Sequence, residues 1–122
     1  MSNLLVVEDS PTIALLLRRR LEMVGHEVRV AADGRAALAR LEQACLLDLV
    51  LADVMMPGID GIETLERIKA VRPELPVVLV TGQEVDAATR ERADAIFPKP
   101  IDFDRLLRAV EQLAAGDLDP DA

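Results

Sequence analysis

Short apolar, β-prone runs alternate along the whole chain with segments of helical periodicity, and four of those runs end at residues that can do chemistry. Leu4-Leu5-Val6-Val7 leads into Glu8 and Asp9, Leu49-Val50-Leu51-Ala52 into Asp53, Val77-Val78-Leu79-Val80 into Thr81, and Ala95-Ile96-Phe97-Pro98 into Lys99. A further strand is expected near Glu27 to Ala31. Strands separated by helices require right-handed crossovers, which give a parallel sheet covered on both faces. In such a sheet the carboxyl ends of the strands share one edge, where open α/β folds place their ligands. Three carboxylates, a hydroxyl and an ammonium would then converge. Carboxylates crowded that closely resist ionising together, so the cluster makes sense with a cation such as Mg²⁺ between them. A lysine and a threonine opposite would suit a phosphoryl group.

The helix patterns have clear ends. Ser10 is a good N-cap and Pro11 a good first helical residue. The helix that follows is expected to run to about Val24, burying Ile13, Leu16, Leu17, Leu21 and Val24, with Gly25 as a left-handed cap. Asp33 caps a second helix to about Gln43. Met55-Met56-Pro57-Gly58 reads as a turn. Asp60 opens a third helix, with Leu65 and Ile68 inward and Glu63 and Arg67 paired outward, and Arg72-Pro73 stops it. The last helix runs from Asp102 through Phe103, Leu106, Leu107, Val110 and Leu113. Five strands of this kind suit a flavodoxin-like three-layer sandwich with a sheet of order 2-1-3-4-5, whose switch point brings Glu8, Asp9 and Asp53 together.

With 122 residues the chain makes one domain, expected over 1–116, followed by an acidic tail over 117–122. A net charge of −8 argues against nucleic acid or an anionic membrane as a direct partner, since both need a basic footprint. The start has no charged-then-apolar leader and no stretch approaches membrane-spanning length, so a cytoplasmic location is expected. Cys45, the single cysteine, has an apolar setting and reads as a buried inert thiol. His26, the single histidine, reads as a loop residue. Arg18-Arg19-Arg20 is the only basic run, a solvated helix face or a docking patch.

The segments LLVVEDS, LVLADVMMPGIDG, VVLVTG and FPKP, in this order, resemble the receiver domain of two-component response regulators of the stand-alone type, and the resemblance covers nearly the whole chain. It implies that Asp53 accepts a phosphoryl group from a phosphohistidine on a sensor histidine kinase or a histidine phosphotransfer protein. It also implies that Asp9 and Asp53 ligate Mg²⁺, Glu8 through water, with the Met55 carbonyl as a further ligand. Thr81 and Lys99 would contact the transferred oxygens. Such a domain is no enzyme beyond catalysing its own phosphorylation and dephosphorylation.

The same resemblance marks departures. The aromatic residue common three positions before the lysine is here Ile96, with Phe97 one place along on the opposite face. The stretch from Gly82 to Asp94 is short, leaving a stunted fourth helix of about Asp86 to Arg92, and the glycine common before the last strand is missing. Signalling to the downstream protein target is therefore expected through an altered fourth-helix region. A Mg²⁺-dependent aspartyl phosphatase or a nucleic-acid-cleaving domain would carry a second carboxylate two positions after the nucleophile, where this chain has Met55. The remaining alternative is an interaction module that works without phosphorylation.

Overall fold

The computed structural model describes residues 2–43, 46–56 and 58–115. Within them strands and helices alternate strictly: β1 (Asn3–Val7), α1 (Pro11–Met23), β2 (Glu27–Ala31), α2 (Gly34–Gln43), β3 (Leu49–Asp53), α3 (Gly61–Val71), β4 (Val77–Thr81), α4 (Ala87–Arg92), β5 (Ala95–Pro98) and α5 (Phe103–Ala114). All neighbouring strands pair in parallel, in the order β2-β1-β3-β4-β5. Cys45 and the segment 116–122 lie outside the described residues.

Because successive strand residues point to opposite faces, the sheet divides the core in two. Leu5, Val7, Val50, Ala52, Val77 and Leu79 pack with Leu41 of α2 and with Leu65 and Ile68 of α3. Leu4, Val6, Leu49, Leu51, Val78 and Val80 pack with Leu17 and Leu21 of α1 and with Leu106 and Val110 of α5. Every residue of β3 and β4 is buried, which is why both read as unbroken apolar runs. Burial of each large aliphatic side chain contributes about 1.5–3 kcal/mol. The edge strand β5 is only half-buried, and Ile96 and Phe97 pack on opposite sides of the sheet, as their adjacency requires.

The helix ends follow the sequence signals. Ser10, Asp33, Asp60, Asp86 and Asp102 each accept a hydrogen bond from the backbone N–H three residues on. At the end of α1, Gly25 has φ +98°, and the Gly25 and His26 N–H groups donate to the Glu22 and Leu21 carbonyls. That is the Schellman arrangement, which a side chain at position 25 would strain.

The buried stripe of α1 is narrower than its periodicity suggests. Ala14, Leu17 and Leu21 are buried, whereas Leu16 and Val24 are exposed. A helix lying on a flat sheet buries a stripe only about 100° wide. Leu16 falls outside it and lines a cavity of about 300 Å³ beside Asp53, while Val24 sits beyond the last helical turn. On the outer face Arg18 pairs with Glu22 at 3.2 Å, and the Arg20 guanidinium lies 4.8 Å from the Phe103 ring centroid, tying α1 to α5.

Helix α4 has six residues, as the short 82–94 stretch implies. Asp94 immediately precedes β5, and its carboxylate accepts from the Val77 N–H and from Lys69 Nζ, both at 2.8 Å. The start of β5 is thereby fastened to α3 and to the start of β4.

Candidate functional site

The parallel register brings the ends of β1, β3, β4 and β5 to one edge of the sheet, with Asp53 level with Val80 and Thr81 level with Pro98. Glu8 follows β1 and its N–H donates to the Ala31 carbonyl at 3.0 Å; Lys99 follows β5 and its N–H donates to the Thr81 carbonyl at 3.0 Å. These bonds carry the ladder one residue past the strands, so the side chains leave from fixed backbone. The Lys99–Pro100 peptide is cis.

Carboxylate oxygens of Glu8, Asp9 and Asp53 lie within 4.8 Å of one another. Glu8 and Asp53 are buried and Asp9 is exposed. Asp53 is engaged from two directions: Lys99 Nζ donates to Oδ2 at 3.0 Å, and the Met55 N–H donates to Oδ1 at 3.2 Å. Burial, followed by the neighbouring carboxyls of Asp53 and Asp9, pushes the Glu8 pKa up to about 7 against the pull of Lys99. The buried Oε2 of Glu8 has no hydrogen-bond partner among the described residues. An all-oxygen donor set with an unpartnered buried carboxylate oxygen fits a hard divalent cation such as Mg²⁺, which would relieve both the repulsion and the unmet acceptor.

The residues singled out in the sequence thus meet, with one difference in posture. Thr81 occupies the adjacent strand end, but its hydroxyl donates to the Gln83 carbonyl and accepts the Gln83 N–H, both at 3.0 Å. It is turned onto its own loop. The Met55 side chain is exposed and leaves the approach to Asp53 without a polar group at that position. Sequence reasoning missed Gly61, whose α-carbon lies against the Asp53 main chain; only the Asp-Gly pair that opens α3 hints at it.

A doubly wound α/β sheet with an acidic pocket at its switch point and a lysine bonded to the central aspartate defines the class of signal-receiver folds. The chain belongs to the response regulator receiver domain family, whose model matches residues 4–111. It is 38% identical over 117 residues to the transcriptional regulatory protein ZraR of Salmonella typhimurium, covering 93% of this chain and 26% of that protein. It is 36% identical over 124 residues to Protein PilH of Pseudomonas aeruginosa, covering 95% of this chain and all of PilH. The chain therefore spans about a quarter of ZraR and the whole of PilH. Among solved structures, it resembles the response regulator receiver domain protein of Clostridium thermocellum with a TM-score of 0.88 at 27% identity, over 95% of this chain and 96% of that one. The response regulator TrrA of Thermotoga maritima, in complex with Mg²⁺ and BeF, matches with a TM-score of 0.86 at 32% identity, over 93% of this chain and 99% of TrrA. The chain is thus a signalling domain of phosphorelay systems. No described helix is long and apolar enough to cross a membrane.

Proposed function

We propose that Asp53 accepts a phosphoryl group from the phosphohistidine of a sensor histidine kinase or a histidine phosphotransfer protein, with Mg²⁺ bound, and that this changes the surface offered to a downstream protein. The observation that carries the reading is the placement of Asp53, with Lys99 Nζ 3.0 Å from one of its oxygens and the Glu8 and Asp9 carboxylates beside it. The Mg²⁺-bound complex of the related TrrA supports the same assignment of the acidic pocket.

Glu8, Asp9, Asp53 and the Met55 carbonyl would hold the cation. When bound, it supplies neutralisation of the negative charge shared by the carboxylate and the incoming phosphoryl oxygens. An Asp53 oxygen attacks phosphorus, and the P–N bond breaks with its electron pair returning to the donor imidazole. Little covalent help is needed in a loose transition state, so alignment and charge dominate. Lys99 passes its ammonium from the Asp53 oxygen to a phosphoryl oxygen. Thr81 turns its hydroxyl from the Gln83 carbonyl to a second phosphoryl oxygen, and the loop leading to α4 follows.

Water attacking the acyl phosphate returns Asp53 and releases inorganic phosphate. Met55 and Gln83, each two residues beyond a site residue, flank its path, and only Gln83 can orient a water. Met55→Asn is expected to hydrolyse the acyl phosphate about 3- to 10-fold faster than the parent, about 1 kcal/mol off the barrier, followed as loss of the phosphoryl mass with time. A rate no faster than the parent would remove position 55 from this role.

The deciding experiment incubates the purified protein with Mg²⁺ and acetyl phosphate and reads intact mass, since the chain has no Trp or Tyr to report by fluorescence. A gain of one phosphoryl group that requires Mg²⁺ and is lost in Asp53→Ala is the expected result. No gain from acetyl phosphate or from phosphorylated kinases would favour an interaction module that works without phosphorylation.

A further inference from the structure

We infer that Gly61 is a positioning residue for the phosphoacceptor: its lack of a side chain lets the first turn of α3 rest on the Asp53–Val54 peptide and hold it in register with the pocket. The inference rests on the reading of Asp53 as phosphoacceptor. A Cβ at position 61 would collide with the Asp53 carbonyl oxygen and lie 2.7 Å from Val54 Cα and 2.9 Å from the Asp53 carbonyl carbon. These are main-chain atoms at the end of a buried strand and cannot rotate aside as a side chain does.

Space, and not backbone conformation, is what demands glycine here. Gly25 and Gly58 have φ of +98° and +75° with nothing within 4 Å of an added Cβ, so both serve turns. Gly61 has no such φ. The contact is also bonded, because the Gly61 N–H donates to the Val54 carbonyl at 2.9 Å while the Val54 N–H donates to the Val80 carbonyl at 3.0 Å. Val54, the residue after Asp53, is thereby held by its carbonyl to α3 and by its N–H to β4. The first turn of α3 is itself anchored: Asp60 accepts the Glu63 N–H at 2.9 Å, and the buried Thr64 hydroxyl donates to the Asp60 carbonyl at 2.7 Å. The next N–H along from Val54, that of Met55, is the one bonded to Asp53 Oδ1. A methyl group at position 61 must therefore displace either α3 or the main chain from which the Asp53 side chain and the Met55 N–H both depart.

Misplacement of a reacting group by about 1 Å can cost on the order of 100-fold, and a shift of a few tenths of an ångström is expected to cost about tenfold. Gly61→Ala should take up a phosphoryl group from acetyl phosphate about tenfold more slowly than the parent, and should bind Mg²⁺ more weakly by titration calorimetry. Val110→Ala, in the core on the other face of the sheet, should lose thermal stability with both readouts unchanged. Should Gly61→Ala not fold, Asp60→Ala loosens the same turn without a clash, and slower uptake and weaker Mg²⁺ binding are again expected, in contrast to the cap variant Asp33→Ala. If the position 61 or position 60 variant matches Val110→Ala in both readouts, the positioning role is overturned. If the parent gains no phosphoryl group, the reading of Asp53 fails instead, and the Mg²⁺ titration still shows whether Gly61 sets the carboxylate.

Discussion

Lys99→Met is expected to slow phosphoryl uptake on Asp53 by about 10²–10³-fold, equivalent to about 2.7–4 kcal/mol of transition-state stabilisation. Methionine keeps most of the apolar length of the lysine and removes only its charged end. That end lies 3.0 Å from Asp53 Oδ2 with the side chain about one-third exposed, close enough to move onto a phosphoryl oxygen as charge develops there. The ground state should respond in the opposite sense. Without the ammonium, three carboxylates within 4.8 Å have no positive side chain bonded to the central one, which strengthens the demand for a cation. The variant should therefore bind Mg²⁺ at least as tightly as the parent while reacting far more slowly, a combination that misfolding cannot mimic. Uptake within about threefold of the parent, under 1 kcal/mol, would remove Lys99 from the chemistry.

His26→Leu is expected to stabilise the protein increasingly as the solution is made acidic. His26 is 7% exposed, and neither ring nitrogen has a hydrogen-bond partner among the described residues. Burial lowers its pKa below the ordinary 6.5, partly opposed by the carboxylates of Glu111 on α5 and Asp48 ahead of β3. The native state therefore keeps the ring neutral where the unfolded chain takes up a proton. Stability from this group is present above pH 6.5 and is lost as pH falls below it, at up to about 1.4 kcal/mol per pH unit. Leucine has no proton to gain, and it also removes an unpartnered buried polar group, itself worth about 1–3 kcal/mol. Glu8 titrates in the opposite sense, since its raised pKa means that the folded state loses stability as pH rises from 4.5 towards 7. It does so in both proteins, so the difference in urea midpoint between parent and variant isolates position 26. A difference that does not widen between pH 7 and pH 5 would show that the imidazole is hydrated or paired in solution.

The strands, the caps and the meeting of Glu8, Asp9, Asp53 and Lys99 were legible from residue order because each rests on local rules. A β-branched run states its own burial, an aspartate before a helix states its own cap, and parallel topology does the rest. The short α4 was legible from a count of residues. What stayed hidden depends on partners far apart in sequence. Leu16 and Val24 share the helical period of Leu17 and Leu21, but the width of the sheet contact excludes Leu16 and the end of α1 at Met23 excludes Val24. The burial of His26 follows from the Schellman turn, which places the residue after Gly25 back against the helix end, a position that usually carries an apolar side chain. The hydroxyl of Thr81 could have faced the pocket or the loop. Asp94 gave no sign that Lys69, 25 residues earlier, would hold it.

The uneven burial of the sheet also grades how readily its parts come apart. In β3 and β4 every residue is sealed between helices, so their amides can meet solvent only when the whole domain opens. In β5 the four residues are half-covered or exposed, and local fraying there requires far less than global unfolding. Asp53 ends the rigid part and Lys99 follows the loose part. A bond made between them is a strut from a fixed post to a yielding one, and when it is exchanged for another, strain is taken up at the margin of the molecule while the centre keeps its shape.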